Sequence, residues 1–91
     1  MANNQMPHNL DAEAALLGCI LIDGTIQSEL LESLKEDEFY QESHRAILIA
    51  MKEVYGERKP VDVVTLTDRL ERDGTLEQAG GLLHITELAE I

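Results

Sequence analysis

Aromatic and basic residues are scarce in this chain. Of its 91 residues only 3% are aromatic, none is tryptophan, and 7 Lys and Arg stand against 18 Asp and Glu. Leu, Ile, Val and Ala must therefore fill the core. The formal net charge of −11 repels phosphate groups. We therefore expect no tight binding of nucleic acid or of an anionic membrane by this domain itself, and a basic protein surface as its natural partner.

Cysteine and long apolar runs are scarce as well. Cys19 is the only cysteine, so no disulfide can form within the chain, which suits a reducing compartment. It lies in the apolar run Ala14–Ile22, which is too short to span a bilayer. The residues before that run contain no Lys or Arg, unlike a secretory signal. We expect a cytoplasmic protein in which Cys19 is a small buried apolar residue.

Motifs that bind phosphate or metal ions are absent from the sequence. It contains no G-x-x-x-x-G-K-[ST] loop, no H-E-x-x-H and no C-x-x-C. The three histidines, His8, His44 and His84, lie in separate segments without the spacing of metal ligands. Ser43 and His44 are neighbours in sequence, but adjacency at a helix start does not aim one side chain at the other. We predict no catalytic, cofactor-binding or metal-binding residue in this chain.

Apolar residues recur at helical spacing along most of the chain. Residues 1–8 are expected to form a flexible arm, and Asn9 to cap a first helix that ends near Ile22. Further helices are predicted at about 26–34, 43–56, 63–73 and 82–89. The capping-box sequence TLEQ at 75–78 predicts one very short helix more. The predicted fold class is all-α, a compact orthogonal bundle of about six short helices over residues 9–91, although VDVVTLT at 61–67 is also compatible with an edge strand.

Three glycines and one aromatic residue are predicted to have structural roles. Gly18 lies inside the first helix, where it lowers helix propensity and indicates that another helix packs close by. Gly80 and Gly81 are expected to stop the short helix that TLEQ opens. Phe39 is expected to fill the space between the second and third helices.

His44 is the residue for which a catalytic role must be weighed against a structural one. Carboxylates stand nearby at Asp37, Glu38 and Glu42. However, His44 follows Ser43, a plausible N-cap of the third helix, and the acidic residues are typical of a solvated face. We therefore interpret His44 as a packed, hydrogen-bonded structural residue at the start of that helix.

Four segments follow one another in the order of a known protein family. They are PHNLDAEAALLGCIL, EFYQESHRAI, PVDVVTLTDRL and LEQAGGLLHITELA. Together they resemble the N-terminal head of the bacterial or phage replicative DNA helicase of the DnaB type, from Pro7 to Ala89. The resemblance implies a compact bundle of about six helices. In the family a helical hairpin, a linker and a RecA-like motor follow, and the motor uses ATP and magnesium to move on single-stranded DNA.

The resemblance also implies a role and two partner-binding positions. The head would support the collar of the helicase hexamer and receive the C-terminal domain of the primase, without catalysis of its own. Asp11 in the first helix and His84 in the last helix match regions that influence how primase is received. The family usually has an aromatic residue at the position of His84, and often one at Leu48. Each residue also has a structural interpretation. Asp11 would be a carboxylate that the dipole of the first helix favours, and His84 would be a half-buried side chain that fills the space of the aromatic ring.

Two other functions are compatible with the residues. One is a free-standing acidic helical adaptor or inhibitor that binds a basic protein. The other is a small metal-dependent hydrolase that uses the histidines and scattered carboxylates. The sequence stops at Ile91 without a helix-ending signal, which we interpret as a segment of a longer protein. A hairpin and a phosphate loop downstream would favour the helicase over the adaptor.

Overall fold

The computed structural model describes residues 9–90 as a bundle of α-helices. The helices are α1 (Leu10–Ile22), α2 (Gln27–Ser33), α3 (Glu42–Gly56), α4 (Val63–Asp73) and α5 (Gly81–Ala89), with short 3₁₀ segments at Gly24–Ile26 and Glu36–Glu38. Within these residues no strand is present, so the prediction of an all-α fold is confirmed. The α-helices number five there, close to the six expected. The arm predicted at residues 1–8 lies outside the described residues.

Local capping signals set the starts of α1 and α4. The Asn9 side chain accepts a hydrogen bond from the backbone N–H of Ala12 at 2.9 Å, as predicted. Asp62 caps α4 in the same way through the N–H of Thr65, and the Thr65 hydroxyl accepts the N–H of Asp62 in return. This reciprocal pair satisfies two backbone donors that the helix itself cannot use. The segment 61–67 is therefore a helix start, and the edge-strand alternative is wrong.

The very short helix predicted at residues 75–78 does not form. Gly74 takes a left-handed conformation with φ of 73°, and the N–H of Thr75 donates to the carbonyl of Leu70 at 2.9 Å. That bond is the 6→1 closure of a helix C-terminus, so Thr75 ends α4 instead of capping a new helix. Residues 76–80 make turns that lead directly into α5.

The core lies between α1, α3, α4 and α5. Its fully buried large side chains are Leu17, Ile20, Ile47, Leu48, Met51, Val54, Leu66, Leu70, Ile85 and Leu88. Phe39, just before α3, is also buried in this core. Gly18 is buried on α1, which packs against both α5 and α3. The Gln27 side chain donates to the carbonyls of Ile20 and Val61, each at 2.8 Å, and so joins the end of α1 to the segment before α4.

The expectation that Cys19 is buried is wrong, because Cys19 is exposed. Leu17, Gly18, Ile20 and Leu21 of α1 are buried, whereas Ala12, Cys19 and Ile22 are exposed on the outer face. Apolar residues occur on all sides of α1, so its sequence does not show which side faces the core. Within residues 9–90 no single helix is long and apolar enough to cross a membrane; only Leu10–Ile22 and Gly24–Ser33 together meet that test, by length and composition, with a 102° bend between them.

We predict that a thiol reagent labels Cys19 in the native protein. The thiol faces solvent on α1, so no unfolding step is required for the reaction. Labelling with an aromatic disulfide reagent in buffer should reach one thiol per chain as fast as it does in denaturant. Cys19→Ser should change stability by less than about 0.5 kcal/mol, as surface substitutions usually do. Labelling that occurs only in denaturant would contradict the exposed position.

Candidate functional site

The carboxylate of Glu13 anchors the start of α3. One oxygen, Oε2, accepts the backbone N–H of Tyr40 at 2.6 Å, while Oε1 accepts the N–H of Gln41 at 3.3 Å. Oε1 also lies 2.9 Å from Nδ1 of His44. Gln41 is the N-cap of α3 but makes no side-chain cap bond. A carboxylate from α1 therefore supplies the negative charge that a helix N-terminus favours.

The predicted capping of α3 by Ser43 is wrong. The helix begins at Glu42, so Ser43 already lies within its first turn. Arg45 adds a second anchor, because its Nη1 donates to the carbonyls of Phe39 at 3.0 Å and Tyr40 at 2.9 Å. The start of α3 is therefore held by side chains from α1 and from α3 itself, and a local N-cap side chain is not needed.

Hydrogen bonds keep Glu13 ionised. Burial alone raises the pKa of this carboxyl, but the N–H of Tyr40, the ring of His44 and the N–H of Gln41 together lower the pKa below its ordinary value. Because a carboxylate only accepts hydrogen bonds, Nδ1 of His44 must carry the proton in this contact. The tautomer and orientation of the His44 ring are therefore set by Glu13.

The rings of His44 and His84 stack across α3 and α5. Their centroids are 5.6 Å apart and their planes differ by 15°. His44 is only 4% exposed, whereas the His84 side chain is 29% exposed. Burial lowers the pKa of His84, and the nearby His44 lowers it further, while Glu87 raises it. Burial and, to a smaller extent, the neighbouring His44 therefore favour the uncharged form of His84 in this stack.

Gly80 permits the close approach of this stack to the turn before α5. Its φ is +103°, and a Cβ atom built there would lie 2.8 to 2.9 Å from Cδ2, Cβ and Cγ of His84. Gly81 also has a positive φ, +83°, but a Cβ atom there would meet nothing within 4 Å. Both positions need a left-handed backbone, and only Gly80 also lacks room for a side chain. Neither glycine stops a short helix, since Gly80 is the N-cap of α5.

The structure separates the residues predicted near His44 from those that contact it. Glu38 accepts the N–H of Lys35, and Glu42 accepts a hydrogen bond from the Gln78 side chain. Neither supplies the partner of His44, which is Glu13 from α1. The sequence carries no signal for this contact, because Glu13 lies 31 residues before His44 and a local pattern does not reach that far.

The two predicted partner-binding residues lie on helices that pack together, α1 and α5. Asp11 is exposed in the first turn of α1. His84 is half-buried, with Nδ1 at 4.0 Å from Oε1 of Glu87, and its Nε2 is buried without a hydrogen-bond partner within the described part of the chain. The titratable groups that act on the pKa of His84 are His44 and Glu87.

This arrangement holds helices together and offers little to a substrate. His44 is buried between Glu13 and His84, so its ring cannot reach a molecule in solution. Across residues 9–90, no three side chains of the metal-ligating types converge on one point. We therefore describe Glu13, His44, His84 and Gly80 as a structural cluster that joins α1, α3 and α5.

The sequence matches a family model and several replicative DNA helicases. The family model described as DnaB-like helicase N terminal domain matches residues 5–91. Replicative DNA helicases of Bacillus subtilis (DnaC) and Geobacillus stearothermophilus (DnaB) are 40% and 36% identical over 84 residues, covering 91% and 92% of this chain. These matches cover only 18% of either relative, so the chain spans about a fifth of the length of these curated relatives.

A solved structure agrees with the sequence comparisons. The crystal structure of the N-terminal domain of DnaB helicase from Mycobacterium tuberculosis matches with a TM-score of 0.85 and 32% sequence identity. The match covers 94% of this chain and 60% of that chain. Sequence and fold lead to the same assignment: the chain belongs to the family of DnaB-like helicase N-terminal domains.

Proposed function

We propose that this chain is the assembly and partner-docking domain of a replicative DNA helicase that acts in the cytoplasm. The carrying observation is the family match over residues 5–91, together with a coverage of only about a fifth of each relative. The domain contributes to the collar of the helicase hexamer and to the landing surface for the C-terminal domain of the primase. ATP and magnesium are used by the motor domain of the intact helicase.

The charge distribution supports a protein partner over a nucleic acid. The chain has 18 acidic and 7 basic side chains, and several of the basic ones are already engaged. Arg69 and Lys59 both pair with Glu57, and Arg72 pairs with Asp68. Few cations remain to neutralise phosphates, which is the main source of affinity for DNA.

Exposed apolar residues next to Asp11 and His84 in the chain support docking at these two positions. Leu10 is 39% exposed beside Asp11, and Leu82 and Leu83 are 53% and 72% exposed beside His84. Large exposed apolar side chains beside polar residues are typical of protein interfaces. We therefore assign Asp11 and His84 to the surface that receives the primase.

Calorimetry of the full-length helicase with the C-terminal domain of its cognate primase tests this proposal. Asp11→Ala and His84→Ala should each weaken binding about 5- to 10-fold, the loss typical of a moderate interface residue. Glu29→Ala removes an exposed carboxylate of α2 and should leave binding unchanged. His84→Tyr restores the aromatic that the family usually has and should bind at least as well as the parent.

The melting temperature of each variant separates docking from folding. A variant that melts like the parent but binds less tightly has lost a contact. If Asp11→Ala and His84→Ala both bind like the parent, these positions are structural and the primase docks elsewhere.

A further inference from the structure

A concave surface lies on the face of α3 opposite His44. Glu42, Ala46, Ile49 and Glu53 are spaced four, three and four residues apart, so they share one face of the helix. Together with the end of α4 and the turn after it, they border an open groove of about 480 Å³. We call this the α3–α4 groove. Because His44 lies on the other side of α3, the groove is separate from the surface assigned to the primase.

The floor of the α3–α4 groove is apolar. Ala46 and Ala50 are buried, while Ile49 is 42% exposed, although it belongs to the helix that carries most of the core. The exposed part of the Ile49 side chain is apolar surface whose burial by a partner would be favourable. The floor therefore offers an apolar contact to an incoming side chain.

The rim of the groove carries more negative than positive charge. Glu36, Glu42, Glu53 and Asp73 line it with one cation, Arg45, whose Nη1 donates to two backbone carbonyls. Neither Glu53 nor Asp73 forms an ion pair with Lys or Arg anywhere in residues 9–90.

The surroundings of Glu53 disfavour its negative charge. Burial raises the pKa of Glu53, and a hydrogen bond with the Asp73 carboxyl raises it further. Arg69 acts in the opposite direction, but its guanidinium pairs with Glu57. A cation placed between Glu53 and Asp73 would relieve the repulsion between the two carboxylates.

We propose that the α3–α4 groove binds a basic amphipathic segment of a partner protein through an arginine side chain. The methylene groups of the arginine lie along Ile49, and its guanidinium lies between the carboxylates of Glu53 and Asp73. A planar guanidinium has several donors in a fixed geometry and suits two carboxylates, while its stem packs on apolar surface. A bare metal ion matches the rim but not the apolar floor.

A peptide titration of the 91-residue chain tests the groove. The probe is an acetylated, amidated peptide of repeated Leu-Ala-Ala-Arg units, followed by amide chemical shifts in ¹⁵N NMR spectra at 0.15 M NaCl, where exposed long-range attraction is screened. Saturable shifts should centre on residues 46–53 and 73–78. A peptide with citrulline in place of arginine should bind about tenfold more weakly, since it keeps the shape and loses the charge.

Matched variants separate the groove from general attraction to an acidic protein. Ile49→Ser and Glu53→Gln should each weaken binding about fivefold, as loss of one apolar or one charged contact does. Ile22→Ser and Glu29→Gln make the same changes at exposed positions outside the groove and should leave binding unchanged.

Three results would overturn the proposal. One is shifts spread over the whole acidic surface. Another is equal weakening by Glu53→Gln and Glu29→Gln. The third is no saturable shift up to about 2 mM peptide, which corresponds to a binding free energy weaker than about −4 kcal/mol. The primase experiment uses residues of α1 and α5, so it can succeed or fail independently of this one.

Discussion

Glu13→Ala is expected to lower the free energy of unfolding by about 2–4 kcal/mol, because a partly buried charged acceptor of three hydrogen bonds is lost while its donors stay behind. The donors are the N–H groups of Tyr40 and Gln41 and the ring of His44. For a domain of this size the melting temperature should fall by roughly 10–25 °C. Thermal and urea unfolding followed by circular dichroism measure both quantities.

Two related variants show whether the loss comes from this cluster. Glu13→Gln keeps an oxygen acceptor but no charge, so it should be destabilised by about half as much as Glu13→Ala. His44→Ala should cost about 1–2 kcal/mol, and the double variant should cost less than the sum of the two single variants. Additive effects, or a melting temperature of Glu13→Ala within 2–3 °C of the parent (well under 1 kcal/mol for such a domain), would contradict the contact.

The pH dependence of stability provides a second test of the same residue. The pKa of Glu13 is lowered in the folded protein from its usual 4.5, so its contribution is complete above pH 4.5 and is lost as the pH falls through the folded-state pKa. The pKa of His84 is lowered from 6.5, so its contribution is complete above pH 6.5 and declines below it. The raised pKa of Glu53 acts in the opposite direction and partly offsets these losses.

The parent should therefore lose stability on acidification in two windows. The first begins below pH 6.5 and belongs to His84. The second begins below pH 4.5, where the lowered pKa values of Glu13, Glu57 and Asp23 all contribute, and Glu13 is the least exposed of these three carboxylates. Glu13→Ala should keep the first window and show a smaller loss of stability than the parent in the second. An unchanged decline below pH 4.5 in Glu13→Ala would assign that window to other carboxylates.

Gly80→Ala is expected to destabilise the domain by about 2–4 kcal/mol, because an unfavourable backbone conformation and a collision add together. A Cβ atom at residue 80 would lie within 2.9 Å of three atoms of His84, one of them the Cβ that the α5 backbone fixes in place. The ring cannot relieve this contact by a rotation alone. The turn before α5 must shift, which also disturbs the stack with His44.

Gly81→Ala is the matched control for this variant. It has the same need for a positive φ, and its Cβ atom meets nothing within 4 Å. It should cost only about 1–2 kcal/mol, the strain of an alanine in the left-handed region. The difference between the two variants in urea unfolding measures the collision with His84, and equal losses would show that the turn adjusts without cost.

The sequence determined the elements whose signals are local. Asn9 and Asp62 cap their helices through N–H groups three residues away, and Gly74 ends α4 with a left-handed backbone. Such interactions stay within one helical turn, so the residue types themselves predict them. The four family segments also lie in the sequence, and they led to the same family as the comparisons.

Only the tertiary structure decided which side chains meet. Apolar residues occur on all sides of α1, so no periodic pattern in the sequence indicates that Cys19 faces solvent. TLEQ has the spacing of a capping box, but its Thr75 closes α4 instead. Glu13 holds the start of α3 from 27 to 31 residues away. Gly80 leaves room for the His84 side chain, because a Cβ atom at residue 80 would collide with it. These outcomes depend on how whole helices pack against one another, which local propensity and capping do not specify.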